Sequence, residues 1–256
     1  MKSKKVSQRK DDDDFPYIPI DYYFEFPDPE ESEGGTVCCN GNLSPGMLRS
    51  AYLQGIFPWY NQDEPVIWWS PDPRFVLFPD KLHVPSRLDR FIRQNDKKAA
   101  CNDPEAFTFT SDTCFETVIR NCSATPRNGQ AGTWIGEDVI EAYCEFHRLG
   151  YAHSFETWQD GKLAGGFYGV LMGSIFFGES MFTHVPEAAK AAFVRFVKAF
   201  EKSGGKLIDS QIYTDNIARF GGKNISRSAF LHFIELYIHT PMKHNLLYAF
   251  MQEDLV

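Results

Sequence analysis

Glu179 and Ser180 stand inside Phe176-Phe177-Gly178-Glu179-Ser180-Met181-Phe182, a carboxylate and a small hydroxyl in a run of large apolar side chains. A buried carboxylate must be paired, or it stays protonated at a cost of several kcal/mol. A core gains nothing from such a residue. The run therefore reads either as a structural Glu tied to a neighbouring turn or as a pocket that holds an apolar group beside a polar reacting centre. A second polar pair, Asp209 and Gln211, sits in Leu207-Ile208-Asp209-Ser210-Gln211-Ile212-Tyr213. If that run is one strand, a spacing of two places both side chains on the same face. Trp59, Trp68 and Trp69 fall within eleven residues, beside Pro58, Pro71 and Pro73. Tryptophans next to prolines make rigid stacking surfaces, although a small aromatic core around tight turns uses the same residues. Arg87, Arg90 and Arg93 recur at i, i+3 and i+6, roughly one helix face. That stripe suits phosphate contacts, and equally an ordinary solvated face.

The elements that must position these groups are legible from punctuation and period. Ala164 to Val170 reads as a strand thinned by glycines, with a short Gly173-containing turn into a strand from Ile175. Asp160-Gly161 predicts a hairpin between Ala152–Trp158 and Lys162–Val170. Ser44-Pro45 opens a helix that Gly55 stops. Further helices are expected from about Pro85, over Cys114–Cys122, over Glu137–Leu149, over Pro186–Lys202 and over Ser226–Tyr237. Phe75–Phe78, Phe107–Thr110 and Leu207–Tyr213 complete the strands, and Gly129–Gly132 reads as a loop. Strands alternating with helices, plus a hairpin, give a mixed α/β (α+β) layer.

At 256 residues and 43% hydrophobic content, the chain has ample material for a packed core, and aromatic residues reach 15%. No apolar run approaches about 18 residues, so no membrane span is expected, and no secretory signal follows the basic N-terminus. Six cysteines without C-x-x-C spacing read as reduced cytosolic thiols, neither a zinc site nor a disulfide frame. The net charge of −8 excludes a generally basic nucleic-acid binder, but its distribution is uneven. Residues 1–33 carry ten acidic and five basic side chains, whereas 74–98 carry seven basic and three acidic. Residues 1–35 are expected to be disordered or loosely draped, with the aromatic residues between Phe15 and Phe26 as docking groups.

Six runs, in order over about Leu43 to Phe230, resemble the leucyl/phenylalanyl-tRNA–protein transferases. They are Ala51-Tyr52…Gly55-Ile56-Phe57-Pro58-Trp59, Trp68-Trp69-Ser70-Pro71-Asp72-Pro73-Arg74, Gly132-Thr133-Trp134-Ile135, Ala152-His153-Ser154, Gly178-Glu179-Ser180-Met181-Phe182 and Leu207-Ile208-Asp209-Ser210-Gln211. The resemblance implies a small N-terminal domain (36–73) and a larger acetyltransferase-like (GNAT-like) catalytic domain (74–256). It implies transfer of Leu or Phe, with Met a further donor, from aminoacyl-tRNA to a protein whose N-terminus is Arg or Lys, marking it for degradation in the cytoplasm. By motif, Trp59 and Trp134 are implied to hold the donor's terminal adenosine. Phe167, Phe176, Met181, Phe196 and Ile208 are implied to wall the amino-acid pocket, and Glu179, Asp209 and Gln211 to form the polar centre. Arg87, Arg90 and Arg93 then become tRNA contacts. The chain departs from the family at Ala189, usually serine, and over Asn216–Gly221, usually His-Leu-Ala-Ser-Leu-Gly.

An aminoacyl ester is already activated, so no ATP motif, cofactor or metal is called for, and a monomer suffices. Within this reading Asp209 attracts the incoming ammonium and Gln211 offers its amide oxygen to the attacking N–H. Glutamine is a poor base, so positioning is favoured over proton abstraction. Two rivals stand beside it. An acetyl-CoA-dependent GNAT enzyme would need an R/Q-x-x-G-x-G/A phosphate loop, and the sequence has His184-Val185-Pro186-Glu187 there instead. A non-catalytic tRNA- or peptide-binding module would have no use for Asp209 and Gln211.

Overall fold

The computed structural model describes residues 15–125 and 134–252. The acidic run Asp11–Asp14 and the Gly129–Gly132 loop lie outside the described residues. The chain forms a three-stranded sheet and a seven-stranded mixed sheet. The small sheet orders β1 (Thr36–Cys39), β3 (Ile67–Trp69) and β2 (Phe57–Pro58), with α1 (Pro45–Leu53) between β1 and β2 in the chain. Ser44 takes the N-cap position of α1 and Pro45 its first turn, and Gly55 at φ 72° ends it. The Ser44 hydroxyl is not spent on the helix, however: it accepts from the Ile18 N–H at 3.0 Å.

That bond belongs to a strap. From Phe15 onward the N-terminal segment runs along α1, where Phe24 N–H donates to Ser50 Oγ and Phe26 N–H to Gln54 Oε1. Phe26 is buried 4.9 Å from the Trp68 ring, whereas Tyr17, Tyr22 and Tyr23 remain exposed. Of the two states expected for residues 1–35, the segment from Phe15 is therefore the draped one. Its phenylalanines dock with their rings, while its tyrosine rings stay exposed and Tyr17 is held only through its hydroxyl, which donates to Glu145 Oε1 at 2.7 Å.

The large sheet orders β10 (Lys223–Ile225), β4 (Arg74–Leu77), β9 (Leu207–Asp209), β8 (Ile175–Thr183), β7 (Lys162–Met172), β6 (Ala152–Gln159) and β5 (Thr108–Ser111). All pairs are antiparallel except β8 with β9. The Asp160-Gly161 hairpin forms as expected: both residues have positive φ, the requirement of a type I′ turn. One face of the sheet carries α5 (Ala188–Lys202) and α8 (Leu246–Met251) over a phenylalanine-rich core. The other carries α3 (Phe115–Ala124), α4 (Glu137–Arg148), α7 (Arg227–Tyr237) and the small sheet. The arginine stripe lies on α2 (Ser86–Ala100), and a short α6 (Asp215–Arg219) follows β9.

Two irregularities position the polar residues. Tyr168 pairs with Ser180 and Gly169 with Gly178, so Glu179 is an extra residue in β8, a β-bulge. The bulge flips the alternation. Phe176 and Met181, an odd number of residues apart, share the α5 face, and Phe177 and Phe182 share the other. Gly169 opposite has no room for a side chain, because a Cβ there would lie 2.2 Å from the Phe177 carbonyl oxygen and 2.4 Å from the Phe176 ring. The second irregularity is the early end of β9. Its parallel pairing with β8 stops at Phe177↔Asp209 while β8 runs on to Thr183, so the two strands part there.

Candidate active site

A cavity of about 370 Å³ opens where β8 and β9 separate. Its apolar wall is Phe167, Phe176, Met181, Phe193, Ile208 and Ile217, and its polar end carries Glu179, Ser180 and Asp209. Four of the five expected wall residues thus come together. The fifth, Phe196, does not reach the cavity: it is fully buried behind the wall, its ring 4.4 Å from that of Phe176 and 5.3 Å from that of Phe167. Phe193, one turn earlier on α5, takes the lining position instead. The reason is where α5 lies. Its first half sets Phe193 against Phe167 and Phe220, and one turn on Phe196 packs against Phe155 and Phe200 in the core. Ile217 joins from α6, an element that periodicity over only five residues does not disclose.

Asp209 and Gln211 are adjacent, but not as alternate residues of one strand. The strand ends at Asp209, and Gln211 has φ 57°, the left-handed region. The chain turns back so that the Gln211 N–H donates to Asp209 Oδ1 at 2.9 Å. Ser210 N–H and Gln211 C=O remain bonded to Phe75, which sews the turn to β4. Arg74, at the start of β4, consequently meets Asp209. Its Nε donates to Oδ1 at 2.9 Å and its Nη2 to Oδ2 at 2.6 Å, and both side chains have 0% exposure. A bidentate guanidinium thus neutralises Asp209. The expected role of Asp209 as the attractor of an ammonium therefore changes, since both its oxygens and its charge are already matched.

Glu179 holds the carboxylate that faces the cavity. Tyr52 OH donates to its Oε1 at 2.7 Å, Tyr143 OH lies 3.4 Å from Oε2, and Gln211 Nε2 donates to Oε1 at 3.3 Å. The two tyrosine oxygens are 2.5 Å apart. Either hydroxyl can donate across that pair, and each phenol has one proton to share between its tyrosine neighbour and Glu179. The amide orientation assigned from this network leaves Gln211 Oε1 as the acceptor that points away from Glu179. Burial pushes the Glu179 carboxyl up to about 7, reinforced by the Asp209 charge and opposed by the tyrosine hydrogen bonds and Arg74. Burial likewise holds both tyrosines well above the usual phenol range.

This carboxyl makes stability depend on pH. Below its ordinary value of 4.5 it is protonated in both folded and unfolded chains. Between 4.5 and about 7 the unfolded chain ionises first, so stability falls as pH rises through that window, and the effect is constant above it. Glu179→Gln keeps an acceptor for Tyr52 and removes the titration. Urea midpoints measured from about pH 5 to about pH 8 should decline less in the variant than in the wild type. Parallel declines would place the Glu179 carboxyl in the ordinary range.

The remaining expected residues lie elsewhere. Trp59 and Trp134 are half-buried against the core that the small sheet and α4 share, and neither lines the cavity. The Trp59 ring sits 5.8 Å from that of Trp69. Arg87, Arg90 and Arg93 are exposed on α2, and Arg93 pairs with Asp89 at 3.0 Å. The residues missed as members of the site are Arg74, Tyr52, Tyr143, Phe193 and Ile217. The two tyrosines had a signal, a phenol on the buried face of a helix, where its hydroxyl needs a partner.

Two family matches cover most of the chain. Residues 76–235 match the family described as leucyl/phenylalanyl-tRNA protein transferase, and residues 41–72 match the N-terminal domain of the same family. Curated relatives named leucyl/phenylalanyl-tRNA--protein transferase agree. One from Anaeromyxobacter sp. (strain Fw109-5) is 49% identical over 207 residues, 80% of this chain and 84% of the relative. One from Myxococcus xanthus (strain DK1622) is 45% identical over 85% of this chain and 89% of the relative. One from Laribacter hongkongensis (strain HLHK9) is 41% identical over 92% of this chain and 94% of the relative. No helix among the described residues is long and apolar enough to cross a membrane.

Proposed function

The chain belongs to the leucyl/phenylalanyl-tRNA protein transferase family, and from that membership we propose that it moves Leu or Phe, with Met as a third donor, from charged tRNA to the N-terminal Arg or Lys of an acceptor protein. The product is a new peptide bond and an N-terminal signal for degradation. The observation that carries this reading is the cavity at the β8–β9 split, apolar along its depth and polar at one end. The donor side chain enters the apolar part, at about 0.8 kcal/mol per buried methylene. The ester carbonyl then lies beside Glu179 and Gln211.

The acceptor nitrogen attacks the ester carbon, the C–N bond forms, and the bond to the ribose 3′ oxygen breaks. A free α-amino group has a pKa of about 7.7–8.0, close to the value of about 7 for Glu179, so proton transfer between them is nearly balanced. Glu179 receives the ammonium proton, Gln211 Oε1 orients the attacking N–H, and the second proton that the nitrogen loses as the peptide bond forms passes to the 3′ oxygen as it leaves. Asp209 acts through Gln211 as a positioning residue, held by Arg74. Trp59 and Trp134 are read as stacking surfaces for the terminal adenosine, worth about 1–3 kcal/mol per base. The exposed arginines of α2 are read as a phosphate stripe whose contribution falls with salt. We read residues 36–73 as the N-terminal domain and 74–256 as a GNAT-like catalytic domain. The parted parallel strands support the second assignment, and the family matches at 41–72 and 76–235 fit that division. The protein is read as a cytoplasmic monomer.

The test is the mass of a peptide beginning with Arg after incubation with the protein and Leu-tRNA, with acetyl-CoA in a parallel arm. A gain of one leucyl residue, and none from acetyl-CoA, is expected. An acetyl gain would identify an acetyltransferase. An unmodified peptide together with retained tRNA binding would identify a binding module.

A further inference from the structure

Away from the cavity, three elements bring together a donor set that the transfer reaction does not use. Asp112 follows β5, His147 lies in the last turn of α4, and His153 lies in β6. One ligand atom from each falls within 4.8 Å of the others. His153 Nδ1 is 2.7 Å from Asp112 Oδ2, and His147 Nδ1 is 3.8 Å from Asp112 Oδ1. The framework around them is fixed. The Ser154 N–H donates to Asp112 Oδ1 at 2.8 Å and the Asp112 N–H to the Ser154 carbonyl at 3.0 Å. The His147 ring is stacked on Phe115, 4.4 Å between centroids and 3° from parallel. The rings of His147 and His153 stand at 90° to each other, 6.5 Å apart.

We propose that Asp112, His147 and His153 form a binding site for one divalent transition-metal ion of the zinc class. Two imidazoles and one carboxylate are a borderline donor set, suited to Zn²⁺, Co²⁺ or Ni²⁺; Mg²⁺ and Ca²⁺ prefer all-oxygen shells. With metal–ligand bonds of about 2.0–2.2 Å, neighbouring ligand atoms of a tetrahedron lie about 3.4 Å apart. The His147–Asp112 separation is already close to that. The His153–Asp112 separation is a hydrogen bond that must lengthen by less than an ångström when its proton leaves. His147 Nδ1 now bonds the Ala152 carbonyl at 2.8 Å. Coordination through Nδ1 moves that proton to Nε2, gives up the bond to the Ala152 carbonyl and turns the nitrogen lone pair from the carbonyl to the ion; with side-chain exposures of 26% and 12% the two rings have solvent within reach to take over the freed partners. Water completes the shell. The ion would join the end of β5, α4 and β6. Tyr143, which reaches Glu179, sits one turn before His147 on α4, so the ion would clamp the helix that carries it.

Cobalt reads the site without relying on activity. The full chain, stripped with a chelator, is titrated with Co²⁺ and followed by visible absorption. Ligand-field bands saturating at one equivalent are expected, without the near-ultraviolet charge-transfer band that thiolates give, so the six cysteines are distinguished from the site. Zn²⁺ should bleach the bands and raise the melting temperature of the wild type. His153→Gln and Asp112→Asn should each abolish both effects. A spectrum identical to aqueous Co²⁺ in the wild type overturns the proposal, whatever the variants do. So does a thiolate charge-transfer band accompanying the signal, or bands that survive His147→Gln combined with His153→Gln. In each of those cases the three residues are a hydrogen-bonded clamp only.

Discussion

Arg74→Met is expected to destabilise the protein by about 3–5 kcal/mol, and adding Asp209→Leu to recover most of that loss. The pair has no solvent on either side and two short hydrogen bonds between its members. Removing the arginine alone leaves a carboxylate with no compensating charge at a position that has no solvent exposure. Replacing both by apolar side chains removes the desolvation cost together with the attraction, which is why such swaps are often close to neutral. Arg74 also donates to the Gly55 carbonyl at 3.1 Å and lies over the rings of Phe57 and Phe230, so some loss remains in the double variant. Urea midpoints of the two single variants and the double variant give the coupling directly. If the two losses simply add, the pair is not acting as a buried unit. Recovered stability should not bring back transfer, because the Gln211 N–H loses its partner with Asp209.

Phe193→Leu is expected to shift the donor preference toward Phe over Leu by about tenfold, within the range that apolar pockets discriminate. Phe196→Leu, by contrast, is expected to lower the melting temperature with much less change in preference. Phe193 lines the cavity, so trimming its ring lengthens the slot available to the donor side chain. Phe196 touches Phe155, Phe167, Phe176 and Phe200 and no cavity space, so trimming it leaves a void in the core. Competition between Leu-tRNA and Phe-tRNA, read as the ratio of product masses, separates the two. Equal shifts in both variants would mean that the α5 face responds as a whole and that the wall is not specific to Phe193.

The sequence disclosed what short-range chemistry decides. Asp160-Gly161 makes its turn because two positive φ values are needed and these residues tolerate them. Ser226 caps α7 by accepting from the Ala229 N–H, as its type and position foretell. The inward face of α4, with Val139, Ile140, Tyr143 and Phe146, follows from period alone. What it did not disclose depends on contacts made by the folded chain. The bulge at Glu179 leaves no mark in a strand pattern, yet it sets which side chains share the cavity face. The early end of β9 was missed as well, although the unbroken polar run Asp209-Ser210-Gln211 is where the alternation of a strand fails. The α5 helix was legible from its period, but whether Phe193 or Phe196 lines the cavity depends on where the helix crosses the sheet. Arg74 was visible as part of a motif and not as the partner of Asp209, a pairing across 135 residues.

The reacting centre is the claim on which the rest depends, and Gln211→Ala addresses it with the least damage to the fold. The substitution keeps the backbone N–H to Asp209 and removes only the amide that lies beside Glu179. The measurement is the single-turnover rate of leucine transfer from Leu-tRNA to an Arg-initiated peptide, with the tRNA dissociation constant measured in parallel. A rate lowered at least about tenfold, with tRNA affinity unchanged within about twofold, is predicted. An unchanged rate, or a loss fully explained by weaker tRNA binding, would contradict the assignment of Glu179, Gln211 and Asp209 as the centre where the peptide bond forms.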